Sequence, residues 1–276
     1  MHGIAPLTEI ESLTVSSVGK LGQTLGSLAQ RKAGVAPSFV VTSSALKEFV
    51  ILSGIRDRVF SLLKQKRTDQ LHDVLLNQEV PDDLEEDLFS HCSALHSNQF
   101  IAHSSSSFAD HSYSHPASSK HKVLEAIKHC WASVVTPERI NSLTKNNLFS
   151  AVIVQPAPTD AKKGRIYTVN PFTNSAEKMV IELFEPRYHV LLVNKGNKRV
   201  VNEDDFFTIK SPLYIEEKDT LASLAGQVNA LFRKAQAVDW VKLDSGFAIS
   251  RIQDLSNPEK QAFFERVKKS GFDIGK

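Results

Sequence analysis

Two neighbouring stretches decide the fold of this 276-residue chain: residues 151–155 read AVIVQ, and residues 164–171 read GRIYTVNP. The first is a run of apolar, mostly β-branched residues that ends on an amide. The second carries β-branched and aromatic residues ahead of an Asn-Pro pair. Runs of this kind are typical of buried strands that end in a turn. We therefore expect strands at residues 151–155 and 165–169.

Working outward, strand patterns dominate the second half of the chain and helical patterns the first. Further strands are predicted at residues 39–42, 99–103, 179–183, 188–193, 238–243 and 247–252, the last two as a hairpin turning at Asp244-Ser245-Gly246. Helical spacing is found at residues 23–32, 44–53, 55–64, 69–76, 81–95, 123–135, 221–235 and 258–269. Residues 203–219 read as loop with short strands. The pattern predicts an α+β protein with a helix-rich lobe at 1–145 and a strand-rich lobe at 146–276.

Composition excludes several classes of protein. The chain has 33 Lys+Arg against 31 Asp+Glu, a net charge of +2, so no broadly basic surface draws it to nucleic acid or to a membrane. Its apolar runs are far shorter than the roughly 20 residues that span a bilayer. The N-terminal sequence, which starts Met1-His2-Gly3-Ile4, lacks a charged region followed by an apolar one, so we expect no secretory signal. We expect a cytoplasmic protein with neither nucleic acid nor membrane as a partner.

Histidine and cysteine are unevenly placed. Seven of the ten histidines lie between His91 and His129, and the two cysteines are Cys92 and Cys130. The pairs His91-Cys92 and His129-Cys130 lack the Cys-x₂-Cys spacing of zinc sites. Because both cysteines fall on apolar helix faces, buried structural cysteine is the preferred interpretation; a zinc site and a phosphohistidine within this stretch are the alternatives.

Four collinear segments resemble the N-terminal nucleotide-binding domain of the phosphoenolpyruvate synthase and pyruvate, phosphate dikinase family. They cover residues 15–255 and include a helix-entry motif, Cys-Trp-Ala-Ser, at 130–133. The segments are VGK (18–20), LGSL (25–28) and GVAPSFVVT (34–42); IAHSS (101–105) and KHCWAS (128–133); AVIVQ and GRIYTVNP, quoted above; and VDW (238–240) with GFAISRIQ (246–253).

The resemblance implies an ATP-grasp fold with two α+β lobes and ATP in the cleft between them, together with Mg²⁺. In this family the β-phosphoryl group of ATP passes to a histidine on a separate swivelling domain, and a third domain hands it to pyruvate. Phosphoryl transfer of this kind depends on positioning and charge neutralisation. If active, the chain is expected to be an ATP-dependent phosphotransferase of the dikinase type, acting with a separate phosphohistidine-domain protein.

Carried over residue by residue, the resemblance assigns three positions in the first 160 residues. Lys20 matches the phosphate-contacting and catalytic lysine, although Leu21 replaces the usual glycine after it. His103 stands at a catalytic arginine and lacks the planar fork and permanent charge of a guanidinium. Gln155 matches the glutamine beside the adenine-binding hinge. The alternatives are a solvated surface lysine at Lys20, a structural histidine at His103 and a plain buried strand end at Gln155.

The phosphate-covering loop matches residues 107–111 (Ser-Phe-Ala-Asp-His), in a shortened form. Here Asp110 replaces a glycine, and a carboxylate that faces a triphosphate is repulsive.

Four further nucleotide-binding positions lie in the second half. Glu182 falls where the family often has an acidic residue, and Asp239 stands for the family's metal-side glutamate, so that it is the expected Mg²⁺ ligand. Arg251 stands where the family has a glutamine, and Gln253 stands where the family has an arginine. The resemblance implies a catalytic role for Arg251. Residues 251 and 253 share one face of a strand. A paired surface carboxylate at Glu182 and a structural Asp239–Arg251 ion pair are the alternatives.

Two functions follow from these assignments. The first is an ATP-binding domain that forms the phosphohistidine-generating half of such an enzyme, possibly with separately encoded domains. The second is a degenerate, non-catalytic ATP-grasp module with a binding or regulatory role, which the departures at His103, Asp110 and Arg251/Gln253 favour.

Overall fold

A computed structural model describes residues 3–10, 13–107, 113–157, 162–184, 188–194, 196, 215–232 and 234–270. The chain divides into two compact units, an N-terminal unit of Met1–Gln30 and Ala36–Thr159 and a C-terminal unit of Arg31–Val35 and Asp160–Lys276. Each unit contains one five-stranded antiparallel sheet with helices. The α+β prediction is therefore confirmed.

Within the described residues, the N-terminal unit holds the first twelve elements of the chain, one of which is a short 3-10 helix at Leu7–Glu9. Its helices are α1 (Val15–Gln30), α2 (Ser43–Leu52), α3 (Arg56–Lys64), α4 (Thr68–Asn77), α5 (Asp82–Ala94) and α6 (Lys120–Ala132). Its strands are β1 (Ile4–Pro6), β2 (Phe39–Val41), β3 (Phe100–Ser105), β4 (Ser114–Ala117) and β5 (Ala151–Pro156), in the spatial order β1-β2-β5-β3-β4.

Strand β5 is the centre of the first sheet. All six of its residues are buried, and it pairs with β2 on one side and with β3 on the other. The apolar run at 151–155 therefore forms the predicted strand. Its neighbours in space lie about 50 and 110 positions earlier in the chain, which local patterns do not reveal. For this reason the observed division falls at Thr159/Asp160, whereas the sequence pattern places the boundary near residue 145.

The core of the N-terminal unit lies between its sheet and its helices. Trp131 at the end of α6 stacks on Phe49 of α2 with a ring separation of 5.3 Å. The Cys-Trp-Ala-Ser motif thus lies at the C-terminal end of a helix, and its interpretation as a helix entry is wrong. Cys92 and Cys130 are buried on α5 and α6 as predicted, and burial raises the pKa of the Cys92 thiol to about 12.

In the described residues of the C-terminal unit, a sheet of five strands is accompanied by two helices. The strands are β6 (Lys163–Tyr167), β7 (Lys178–Leu183), β8 (His189–Asn194), β9 (Gln236–Leu243) and β10 (Gly246–Asp254), in the order β10-β9-β6-β7-β8, and the helices are α7 (Ile215–Leu231) and α8 (Asn257–Lys269). The β9–β10 hairpin, the long helix and the terminal helix are confirmed. The prediction of a loop with short strands at 203–219 is wrong for its last five residues, which begin α7, and residues 203–214 lie outside the described part of the chain.

Helix α8 covers one face of this second sheet. Phe263 and Val267 of α8 pack with Tyr167, Val180 and Leu192 in one apolar cluster. On these strands alternate residues share a face, so Arg165 and Glu182, each two positions from a member of the cluster, project toward α8 as well. That face carries most of the charged positions singled out in the second half of the sequence.

Candidate functional site

The expected phosphate-contacting lysine follows a break in α1. Gly19 has φ 70° and ψ 173°, which interrupts the helix. A Cβ at Gly19 would lie 2.2 Å from the carbonyl oxygen of Ser105, so only glycine fits at this close approach. The Oγ of Ser105 donates to the carbonyl of Val18 at 2.7 Å and accepts from the backbone N–H of Gly22 at 3.0 Å. The break is thereby fixed to the end of β3.

Lys20 is held next to the same strand end. Its backbone N–H donates to the carbonyl of Ser106 at 3.0 Å, and its side chain is exposed. The spacing between Lys20 and the Ser104–Ser106 segment is therefore set by the backbone. These two segments, far apart in the sequence, are therefore held side by side in the N-terminal unit.

Ser104 and Ser106 line a cavity of about 540 Å³, within the size range of small-molecule sites. Its lining is rich in hydroxyl groups and includes one guanidinium: Ser104, Ser106, Tyr113, Ser133, Val134, Thr136, Glu138 and Arg139. Hydroxyls and a guanidinium are suitable donors for phosphate oxygens. The sequence analysis did not single out Arg139. The feature that could have pointed to it is its position six residues after Ser133, the last residue of the Cys-Trp-Ala-Ser motif.

Glu138 lies at the same cavity as Arg139. A hydrogen bond from Thr136 is the main cause that lowers the pKa of the Glu138 carboxyl. The cavity thus offers one negative and one positive side chain, and a phosphate would be drawn to its hydroxyl and arginine side.

His103 is buried within the first sheet, at 4% exposure. It pairs with Ser114 of β4 and with Ile153 of β5, and its Nδ1 lies 2.6 Å from the Oγ of Ser114. A catalytic role for His103, implied by the resemblance, would require a reacting group to reach this position. The contact with Ser114 fits the structural alternative.

Gln155 is fully buried near the end of β5. Its Nε2 donates to the Oγ of Ser38 at 3.0 Å, and its Oε1 has no hydrogen-bond partner among the residues that the structure describes. A buried acceptor of this kind costs free energy unless a donor reaches it. Of the covering loop, Phe108, Ala109, Asp110 and His111 lie outside the described residues, and the prediction made for Asp110 stays a prediction.

Asp239 lies between two arginines on neighbouring strands. Arg165 donates to it through Nε at 2.5 Å and through an Nη at 3.1 Å, and Arg251 donates through Nε at 2.8 Å. Burial alone would raise the pKa of Asp239, but the charges of Arg251 and Arg165 outweigh it and hold this pKa below its ordinary value. The Asp239–Arg251 ion pair, left open by the sequence, is present.

Gln253 follows Arg251 on the same face of β10, because Arg251 pairs with Asp239 and Gln253 with Ala237 in one uninterrupted register. Its Nε2 is buried without a hydrogen-bond partner in the described part of the chain. The expectation that residues 251 and 253 share a face is confirmed.

Glu182 is a fully buried carboxylate. It accepts hydrogen bonds from the hydroxyls of Tyr167 at 2.8 Å and Tyr188 at 2.6 Å, and from Arg266 of α8 at 2.9 and 3.0 Å. The alternative of a paired carboxylate holds, but the pair is in the interior and not on the surface. Every oxygen of Glu182 is occupied by a protein donor, which leaves little capacity for a nucleotide.

The predicted site residues thus form two sets. Lys20, His103 and Gln155 belong to the N-terminal unit, and Glu182, Asp239, Arg251 and Gln253 belong to the C-terminal unit. Among the described helices, none is both long enough and apolar enough to cross a membrane.

Comparison with known proteins identifies the class to which this arrangement belongs. Residues 15–187 match the family described as pyruvate phosphate dikinase, AMP/ATP-binding domain. The match extends over more than half of the chain, and the chain belongs to this family. It is therefore an ATP/AMP-binding domain of the phosphoenolpyruvate synthase and pyruvate, phosphate dikinase type, as the resemblance implied, and the ATP-grasp assignment rests on this membership.

The chain is also similar to two curated archaeal proteins, each named probable phosphoenolpyruvate synthase. That of Methanothermobacter thermautotrophicus is 25% identical over a match covering 65% of this chain and 30% of the relative. That of Archaeoglobus fulgidus is 24% identical, covering 64% of this chain and 27% of the relative. The chain thus spans less than a third of the length of these relatives.

Solved structures with partial likeness include two enzymes. D-alanyl-alanine synthetase A from Vibrio cholerae has a TM-score of 0.42 at 11% identity, covering 87% of this chain and 55% of that one. D-alanine-D-alanine ligase from Helicobacter pylori has a TM-score of 0.38 at 9% identity, covering 93% and 61%.

Proposed function

We propose that this chain takes the phosphate groups of ATP at the Gly19–Lys20 break and the adjoining hydroxyl-lined cavity. The observation that carries the proposal is the attachment of the break to Ser105 and Ser106, which fixes the backbone of Lys20 next to Ser106, one of the residues that line the cavity. Preorganised donors bind anions at little cost in conformational entropy. Arg139 and the hydroxyls of Ser104 and Ser106 complete the phosphate side.

Gln155 is the proposed residue on the adenine side. Its buried Oε1 needs a donor, and the exocyclic amino group of adenine is a donor of suitable chemistry. Its Nε2 is already fixed by Ser38, which orients the amide. In this scheme His103 supports the strand through Ser114 and does not contact the nucleotide.

The relatives support a proposal about the wider activity. Because the chain covers less than a third of proteins named probable phosphoenolpyruvate synthase, we propose that it supplies the nucleotide end of a dikinase-type phosphotransferase. The phosphohistidine domain would be a separate partner protein or another part of the same polypeptide, in the cytoplasm.

Calorimetric titration of the full chain with ATP tests nucleotide binding. The matched variants are Lys20→Ala and Lys47→Ala, the second an exposed lysine on α2. Losing a charge-assisted contact weakens affinity by about tenfold or more. We expect this loss for Lys20→Ala only. Equal affinities in both variants, or no heat from the wild type at millimolar ATP, would overturn the proposal.

A second candidate function is a non-catalytic nucleotide-binding module. The observation that favours it is the occupation of Asp239 by two arginines and of Glu182 by α8. An assay with ATP and an added swivelling histidine domain decides between the two. Formation of AMP, phosphate and phosphohistidine that is absent in Lys20→Ala supports the enzyme; binding without any of these products supports the module.

A further inference from the structure

Three charged side chains face one another across adjacent strands of the second sheet. Asp239 on β9 pairs in register with Arg251 on β10 and with Arg165 on β6. Residues in register on neighbouring strands project to the same face and are the closest cross-strand neighbours. The sequence reasoning considered Asp239 and Arg251 but gave Arg165 no role.

Both oxygens of the Asp239 carboxylate are engaged by cations. Oδ1 accepts from Nε of Arg165, and Oδ2 accepts from an Nη of Arg165 and from Nε of Arg251. The contact with Arg165 is bidentate, the strongest geometry available to a carboxylate and a guanidinium. We call these three residues the arginine clamp.

The arginine clamp is fixed from the side of α8 as well. Nη1 of Arg165 donates to Oε2 of Glu259 at 2.7 Å, so this guanidinium joins two carboxylates. The side chain of Arg165 is only 10% exposed, and that of Asp239 is 21% exposed. A rotation of Asp239 toward a new partner would therefore break its hydrogen bonds to arginines on two neighbouring strands.

This donor set does not fit Mg²⁺. The ion requires near-octahedral oxygen ligands at about 2.0–2.1 Å, and at Asp239 it would stand beside two fixed guanidinium charges. Within the described ranges, no group of three or more His, Cys, Asp or Glu side chains is arranged to hold a metal ion. The metal role that the resemblance implies for Asp239 disagrees with this geometry.

We propose that Asp239 is the anion of a structural arginine clamp and not a metal ligand, so that this chain binds ATP equally well without a divalent cation. The inference rests on the proposed nucleotide binding. The ligand class it specifies is a metal-free nucleoside polyphosphate, whose charge is met by lysine and arginine side chains. Arg165 and Asp239 are then positioning residues that fix the orientation of Arg251.

The first arm of the test is calorimetry of ATP binding to the full chain in EDTA and in excess MgCl₂. The variants are Asp239→Asn and, as a control, Asp219→Asn, an exposed carboxylate on α7. We expect the wild-type dissociation constants in the two buffers to agree within about threefold, a difference below 1 kcal/mol. A gain of tenfold or more with Mg²⁺ in the wild type would overturn the metal-free binding, and disappearance of that gain in Asp239→Asn would identify Asp239 as the metal ligand.

The second arm does not need ATP and separates the inference from the proposed function. Thermal unfolding is followed with and without Mg²⁺, and bound Mn²⁺ is measured by electron paramagnetic resonance without nucleotide. The clamp predicts that Asp239→Asn lowers the midpoint by roughly 5 °C or more in both buffers, and that wild type and variant bind the same amount of Mn²⁺. Loss of Mn²⁺ binding with an unchanged midpoint contradicts it, whether or not ATP binds.

If Asp239→Asn does not fold, Arg165→Lys carries the second arm. Lysine keeps the charge but loses the bidentate fork, so the clamp predicts a lowered midpoint and unchanged Mn²⁺ binding. If Asp239 is instead a metal ligand, the unfolding midpoint of Arg165→Lys should be unchanged, and Mn²⁺ should bind to both the variant and the wild type. In this variant the midpoint is therefore the measurement that separates the two accounts.

Discussion

At the scale of single residues, the candidate site depends on Gly19, where the structure leaves no room for a side chain. Gly19 is required because its φ is positive and because the carbonyl of Ser105 occupies the space of a side chain. The sequence analysis singled out Lys20, which follows this glycine. It could not reveal Ser105 as the partner, since that contact joins residues more than 80 positions apart.

Gly19→Ala should be much more destabilising than Gly54→Ala. Both glycines have φ near 70°, but a Cβ at Gly54 meets nothing within 4 Å, so the control carries the backbone strain alone. We expect a loss of about 1 kcal/mol for Gly54→Ala and of about 3 kcal/mol or more for Gly19→Ala. Urea unfolding measures both values. Equal losses would show that the contact with Ser105 is not rigid.

Other residues of the site could not be read from the sequence. Arg165 lies in a strand that was predicted correctly, but its partners Asp239 and Glu259 lie 74 and 94 positions further along. Arg139 lines a cavity whose other walls come from β3 and the approach to β4. The pairing of strands that are distant in the sequence determines which side chains become neighbours. The hydrophobic periodicity of the sequence contains no information about that pairing.

At the scale of elements, α8 is held to the second sheet by a buried polar network around Glu182. Arg266 of α8 reaches both Glu182 and the hydroxyl of Tyr167. The helix itself was predicted from its charge and spacing. Its docking was not, because the sequence shows Glu182 and Arg266 only as separate charged residues.

Arg266→Met should destabilise the chain by about 3 kcal/mol, because it leaves the fully buried Glu182 without its cation. The double variant with Glu182→Gln should recover part of this loss. Glu125→Ala, which breaks the exposed Lys122–Glu125 pair, should cost less than about 0.5 kcal/mol. Denaturant unfolding gives all three values, and a small loss for Arg266→Met with no recovery in the double variant would contradict the network.

Tyr167 and Tyr188 should not ionise before the chain unfolds in alkali. Burial, followed by the nearby Glu182 carboxylate, raises the pKa of both phenols above their ordinary value. A raised folded pKa contributes stability that is complete below the unfolded value of about 10 and is lost as the pH rises above it. Phenolate absorbance near 295 nm measures this.

The control is the Tyr167→Phe, Tyr188→Phe variant. Its phenolate signal should match that of the wild type at every pH below the unfolding transition, and differ only above it. A smaller signal from the variant at pH 10 to 11 in the folded state would refute the buried hydroxyl contacts.

At the scale of the whole molecule, each unit has its own apolar core and one buried tryptophan, Trp131 in the N-terminal and Trp240 in the C-terminal unit. Composition and patterning were sufficient to predict two α+β parts. They could not place β5, since a strand of the second half of the sequence pairs inside the first sheet.

The two units should unfold at different urea concentrations. In Trp131→Phe the remaining indole reports the C-terminal unit, and in Trp240→Phe it reports the N-terminal unit, so each probe lies in the unit that is not changed. The larger apolar core of the N-terminal unit favours the higher midpoint there. Fluorescence unfolding curves that superimpose would show a single cooperative unit instead.

The central claim is that the Gly19–Lys20 break and the adjoining cavity take the phosphates of ATP. A crystal structure of the full chain with a non-hydrolysable ATP analogue tests it most directly. The account predicts phosphate oxygens within about 3 Å of the Lys20 Nζ and of hydroxyls in the 104–106 segment. A bound analogue whose phosphates lie away from Lys20 and from this cavity would contradict it.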